Sequence, residues 1–132
     1  MGGVDITVTT KEKPEQSFLD DYLKMHADMF VKGRLRGRDQ PRESLEADVE
    51  MRRKAAPDEK FPLEIFGPAW VDGEDDIAPE IVAITPMPYW RINIGCELGT
   101  EQNWTDALDL AFFIAKKYKG VVYTSEAGIM WP

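Results

Sequence analysis

Tyr89-Trp90-Arg91-Ile92-Asn93-Ile94-Gly95-Cys96-Glu97-Leu98, followed after a polar interval by Thr105-Asp106-Ala107-Leu108-Asp109-Leu110-Ala111-Phe112-Phe113-Ile114-Ala115-Lys116-Lys117-Tyr118-Lys119-Gly120-Val121-Val122-Tyr123-Thr124, decides the fold. In its first part Trp90, Ile92, Ile94, Cys96 and Leu98 alternate with Arg91, Asn93, Gly95, Glu97 and Gly99, the period-two pattern of a half-buried strand. In its second part Leu108, Ala111, Phe112, Ala115 and Tyr118 recur at helical spacing, with Asn103 or Thr105 as the cap and Gly120 in the terminating position. Asp106 falls in the first turn and Lys116, Lys117 and Lys119 in the last, where the helix dipole favours each sign of charge. Val121 to Thr124 is β-branched and short, so strand, helix and strand form a right-handed βαβ crossover.

Working outward, Ile6-Thr7-Val8-Thr9-Thr10 alternates and reads as a first strand, placed at a sheet edge because polar residues follow it directly. Phe18, Leu19, Tyr22, Leu23, His26, Met29 and Phe30 recur at steps of three and four, which predicts one helix from about Ser17 to near Gly33. Lys32 to Arg42 holds five basic residues with glycines and Pro41, a loop. Ser44 starts a short second helix with Leu45, Val49 and Arg52 on one side, ended by Pro57. Phe61 to Phe66, Pro68 to Val71 and Ile81 to Thr85 read as further strands. The resulting order suggests an α+β fold: a two-layer sandwich whose mixed, mostly antiparallel sheet carries its helices on one face.

With 132 residues, 43% hydrophobic and 30% charged, the chain fits a single folded domain spanning 1–132. Its net charge of −8 disfavours nucleic acid and favours a basic partner protein. No run is long and apolar enough for a bilayer span, and Met1 to Asp5 lacks the regions of a signal peptide, so cytoplasmic residence is the expectation. The single cysteine, Cys96, agrees with a reducing compartment and, on the apolar side of its strand, reads as a small buried hydrophobe. His26, one turn from Tyr22 and Phe30, reads as a core-edge histidine with a hydrogen-bonded ring nitrogen.

The charge is unevenly spread. Between residues 55 and 101 ten carboxylates stand against Lys60 and Arg91, and Asp72, Glu74, Asp75, Asp76 and Glu80 crowd one stretch beside Trp70. Such self-repulsion is relieved by solvent, by a cation or by a basic partner. An EF-hand loop starting at Asp72 needs glycine and glutamate where Ile77 and Ala83 stand, so no calcium loop is encoded. One histidine and one cysteine are too few ligands for zinc, and no cofactor-binding or catalytic motif is present. The basic stretch 32–54, eight cations against five carboxylates, has no interleaved aromatic residues for stacking on bases.

The closing segments, Trp90-Arg-Ile-Asn-Ile-Gly and Thr105 to Tyr123, resemble the final strand-helix-strand of small immunity proteins of bacterial toxin systems. The resemblance covers the last third of the chain and implies a non-catalytic inhibitor that sets acidic residues against a basic toxin. On that reading the partner-binding residues are Trp70, Asp72, Glu74, Asp75, Asp76 and Glu80, with Trp104 as a further aromatic anchor. The alternative is a small enzyme or small-molecule binder with a cleft between sheet and helices, using Glu97 and Glu101 with walls from Tyr89 and Trp104. Self-association as a homodimer is a third possibility.

Overall fold

The computed structural model describes residues 3–15, 18–34, 47–58, 63–71, 89–97 and 101–132. Their elements are β1 (Gly3–Thr10), α1 (Phe18–Met25), β2 (Met29–Arg34), β3 (Ala47–Arg53), β4 (Leu63–Val71), β5 (Tyr89–Glu97), α2 (Glu101–Lys117), β6 (Gly120–Thr124) and β7 (Gly128–Met130). The strands form one open antiparallel sheet in the order β2-β3-β4-β5-β1-β6-β7, with both helices on one side, which is the α+β sandwich expected. The segment expected as a strand over Ile81 to Thr85 lies outside the described residues.

Alternation in β5 is as the sequence implies: Ile92 and Ile94 are fully buried, while Arg91, Asn93 and Gly95 on the second face are half-buried. Register continues the apolar face sideways, through Ile94↔Ile6 and Ile92↔Val8 on β1 and Ile65↔Ile94 on β4. Antiparallel pairing of β1 with both β5 and β6 makes those two strands parallel to each other. The crossover through α2 therefore exists, but it steps over β1. That insertion corrects the edge position expected for the first strand: β1 is internal, and Ile6 and Val8 are fully buried.

Three other expectations change. The first helix stops at Met25 although its apolar spacing continues: Met25, Ala27 and Asp28 are exposed, and a turn closed by Met29 N–H to His26 C=O leads into β2. Met29 and Val31 then face the core from a strand paired with β3, so tertiary pairing overrides the helical spacing. The second helix is instead strand β3, in which Ala47, Val49, Met51 and Arg53 alternate with Asp48, Glu50 and Arg52; Met51 lies against Leu63 across the β3–β4 pair. The two runs 61–66 and 68–71 merge into β4, whose register slips between Phe66 and Ala69 at a bulge where Gly67 takes a φ of 115°.

Helix α2 packs with Ala107, Leu110, Ala111, Ile114 and Ala115 fully buried, while Leu108 and Phe112 sit at the rim. The stripe is thus rotated by about one position from the expected one, because the alanines let the helix backbone approach the sheet closely. Asn103 and Thr105 are inside the helix rather than at its cap. At the other end Lys119, not Gly120, takes the left-handed conformation, with φ 58°. Gly120 is needed for another reason: a Cβ there would sit 2.2 Å from the Thr9 carbonyl oxygen of the neighbouring strand. Strand β7 was not expected; it follows a turn in which Ala127 N–H donates to Thr124 Oγ1 at 3.0 Å.

Candidate functional site

Strand pairing fixes where the acidic stretch is anchored. The last pairs of β4 with β5 are Ala69↔Arg91, Trp70↔Trp90 and Val71↔Tyr89, so residues 72–88 leave and re-enter the sheet at adjacent positions on its central strands. Asp72, Glu74, Asp75, Asp76 and Glu80 lie outside the described residues, and Trp70 contributes the backbone pair at the base. Thr10 pairs with both Trp90 and Gly120, so the exit of β1 and the entry of β6 occupy that same end of the sheet. There Lys13 Nζ stands 5.1 Å from the Trp90 ring centroid and Lys119 pairs with Glu12 at 3.1 Å. The pair Ala47↔Gly67 puts the ends of the 35–46 connection, in which Arg36, Arg38 and Arg42 are matched by Asp39, Glu43 and Glu46, at this end too, and that connection also lies outside the described residues.

The other expected residues are not gathered there. Trp104, near the start of α2, follows the far end of β5 and packs half-buried against the core. The length of β5 separates that far end from Tyr89 by about 25 Å along the strand direction. The same distance separates Tyr89 from Glu97 along the backbone of β5. The helix-facing side of the sheet between them is filled by Ile92, Ile94, Leu110 and Ile114, all fully buried.

Two side-chain clusters that sequence spacing does not show hold the helices in place. Tyr22, 1% exposed, donates its hydroxyl to Asp109 Oδ2 at 2.8 Å. His26 stacks on the Tyr22 ring at 4.1 Å and places Nε2 3.2 Å from the same oxygen, partly exposed at the core edge. Burial first, then the hydrogen bond to Asp109 and the charges of Asp109, Asp106 and Asp28, push the Tyr22 phenol far above its ordinary value and keep it neutral. A phenol so held does not act as a nucleophile, and the His26–Asp109 pair reads as a clasp between α1 and α2. Nearby, Lys117 donates to Asp21 at 2.8 Å; that hydrogen bond, ahead of the charge, lowers the Asp21 carboxyl and raises the Lys117 ammonium.

Arg53 forms the second cluster. Lying on the helix-facing side of β3, it donates to Asn103 Oδ1 at 3.1 Å and to Asp106 Oδ2, while Gln102 Nε2 donates to Asp106 Oδ1 at 2.9 Å. The Arg53 and Asp106 side chains are only 20% and 16% exposed, so removing one leaves the other partly desolvated. Arg53→Met is expected to lower stability by roughly 1 kcal/mol. Urea denaturation of the single variants and of the double variant with Asp106→Asn measures the coupling, and additive losses would rule the pairing out.

The second face of the sheet is mixed, with Phe30, Phe66 and Tyr123 in register with Arg52, Asn93 and Thr7. Thr7 Oγ1 donates to Asn93 Oδ1 at 3.2 Å, and Arg52 pairs with Glu50 at 3.1 Å, although Thr9 and Val121 are buried on it. Among the described residues no group of three or more His, Cys, Asp or Glu side chains is arranged to hold a metal ion, and no helix is long and apolar enough to cross a membrane. Compared with models of known protein families, with curated proteins and with solved structures, the chain finds no significant match.

Proposed function

We propose that this chain is a non-catalytic, cytoplasmic binding protein of the immunity-inhibitor type, which docks the acidic stretch Asp72, Glu74, Asp75, Asp76 and Glu80, beside Trp70, on a basic partner protein such as a toxin. The observation that carries the reading is the anchoring of that stretch: its two ends are held on neighbouring central strands by Val71↔Tyr89 and Trp70↔Trp90. Tethering both ends to a packed sheet limits the conformations the segment loses on docking, so more of its electrostatic attraction is left as affinity and on-rate. Trp104, the further aromatic anchor of that reading, lies on α2, which begins beyond the opposite end of β5.

The test begins with affinity capture from the native cell to obtain the partner. Replacing Asp72, Asp75 and Asp76 by asparagine and Glu74 by glutamine should weaken its binding by about tenfold at low salt and flatten the salt dependence, with the melting temperature unchanged. Equal affinity of the variant and the parent protein would remove the reading.

A further inference from the structure

The two ends of the sheet are built differently, and among the described residues nothing pairs with the outer side of one of them. At one end β2 carries exposed Lys32, ends in Arg34 and loses register against β3 between those residues. A bulge and basic side chains are the usual means of blocking strand addition at an edge. At the other end β7, Gly128-Ile129-Met130, bears no charge and no bulge, and pairs regularly with β6 through Val122↔Met130, Tyr123↔Ile129 and Thr124↔Gly128. Directly after it stands Trp131, 66% exposed, one of two large hydrophobic side chains that the described residues leave so open.

We infer that β7 is a self-association edge, on which a second copy of this chain adds its own β7 antiparallel about a two-fold axis at Ile129. The occupant follows from the contrast between the edges. A copy offering β2 would have to pair through the bulge and Lys32, and such head-to-tail pairing would leave free edges for an open polymer. A copy offering β7 meets an identical uncharged strand, uses up both edges and closes at two. Two-fold pairing also brings the two Trp131 side chains to the same seam, where each can bury apolar area that the monomer leaves in water. Only three residues of each strand pair, so the interface belongs to the small, weak class. Each copy carries −8, so association strengthens as added salt screens the long-range repulsion, the opposite of the salt response expected for docking on a basic partner.

Sedimentation velocity from about 10 μM to about 1 mM tests the inference. The expected result is a monomer–dimer equilibrium that shifts towards dimer at higher salt. Ile129→Lys places like charges across the axis and should raise the dissociation constant about fivefold or more, as should Ile129→Glu; an equimolar mixture of the two variants should recover association, because lysine then faces glutamate. Trp131→Ser, at an exposed position, should weaken the dimer without changing the melting temperature, and Lys32→Ala on β2 should leave it intact. A monomer throughout the range overturns the inference, including a monomer that captures an extended apolar peptide instead. So does a dimer indifferent to Ile129 and Trp131, or a mixture of the charged variants that fails to associate.

Discussion

Gly120→Ala is expected to destabilise the fold by about 3 kcal/mol or more, enough to leave little folded protein at physiological temperature. The added Cβ would meet the Thr9 carbonyl oxygen at 2.2 Å, Thr10 Cγ2 at 2.8 Å and Thr10 Cα at 3.0 Å. Two of those atoms are backbone of β1, which is paired on its other side with β5 along its whole length and cannot retreat. The strain therefore falls on the entry to β6. It separates Thr10 from Gly120 and pulls on the adjoining bonds from Lys11 N–H to Lys119 C=O and from Glu12 N–H to Tyr118 C=O, each 3.2 Å. Gly95→Ala is the matched control on β5, since its Cβ would lie 3.6 Å from Glu64 Cβ, an ordinary contact, and losing a glycine in a strand is neutral to mildly stabilising. Urea denaturation of the two variants should separate them widely. A Gly120→Ala protein as stable as the parent would mean that β6 does not approach β1 as closely as described.

Gly120 also illustrates what the sequence can and cannot convey. Its position after a lysine-rich helix end suggests a terminator, yet the left-handed residue is Lys119, and the demand for glycine comes from a neighbouring strand that is more than a hundred residues away in sequence. The general architecture is legible because β5 and α2 have long, unambiguous periods. Short elements are not. Met29 and Phe30 continue the spacing of α1, so their strand identity depends on the pairing Met29↔Arg53 and Phe30↔Arg52. In β3 the alternation of Val49 and Met51 with Asp48, Glu50 and Arg52 is present in the sequence, but over so few residues it competes with a helical reading. β7 has three residues and no periodicity at all.

Legibility of the candidate site divides in the same way. The acidic stretch is visible from charge alone, whereas its attachment to the middle of the sheet required the strand order. Trp104 reads as a companion because it is aromatic and follows a polar run; the direction of β5 puts its helix beyond the end of the strand opposite Tyr89. Arg53, counted in the sequence as part of a basic run, turns out to face α2 and to bind Asn103 and Asp106, residues 50 and 53 positions away. Its charge serves the interior of the fold, which is a further reason that basic composition in residues 32–54 is a poor guide to a nucleic-acid surface.

Tyr22 is expected to contribute to the loss of stability at alkaline pH. Tyr22→Phe removes the hydroxyl that donates to Asp109, and at neutral pH this is expected to cost about 1 kcal/mol, since Asp109 is half-exposed and regains water. Above pH 10 the comparison reverses. Burial and the surrounding carboxylates hold the folded-state phenol far above its ordinary value of 10.0, so in that range the unfolded chain releases the proton and the folded protein keeps it. The stability contributed by the neutral phenol is fully present below the unfolded value and is lost as pH rises towards the folded one, by up to about 1.4 kcal/mol for each pH unit. Phenylalanine has no proton to release, so the variant escapes this part of the decline. Tyr118, whose phenol is also raised by burial, is present in both proteins and cancels in the difference. Urea denaturation from pH 7 to 11 should therefore show the parent protein ahead at neutral pH and the two stability curves crossing between about pH 10 and 11. A gap that stays constant up to pH 11 would place the Tyr22 hydroxyl in contact with water, and the contact that joins α1 to α2 through Asp109 would have to be redrawn.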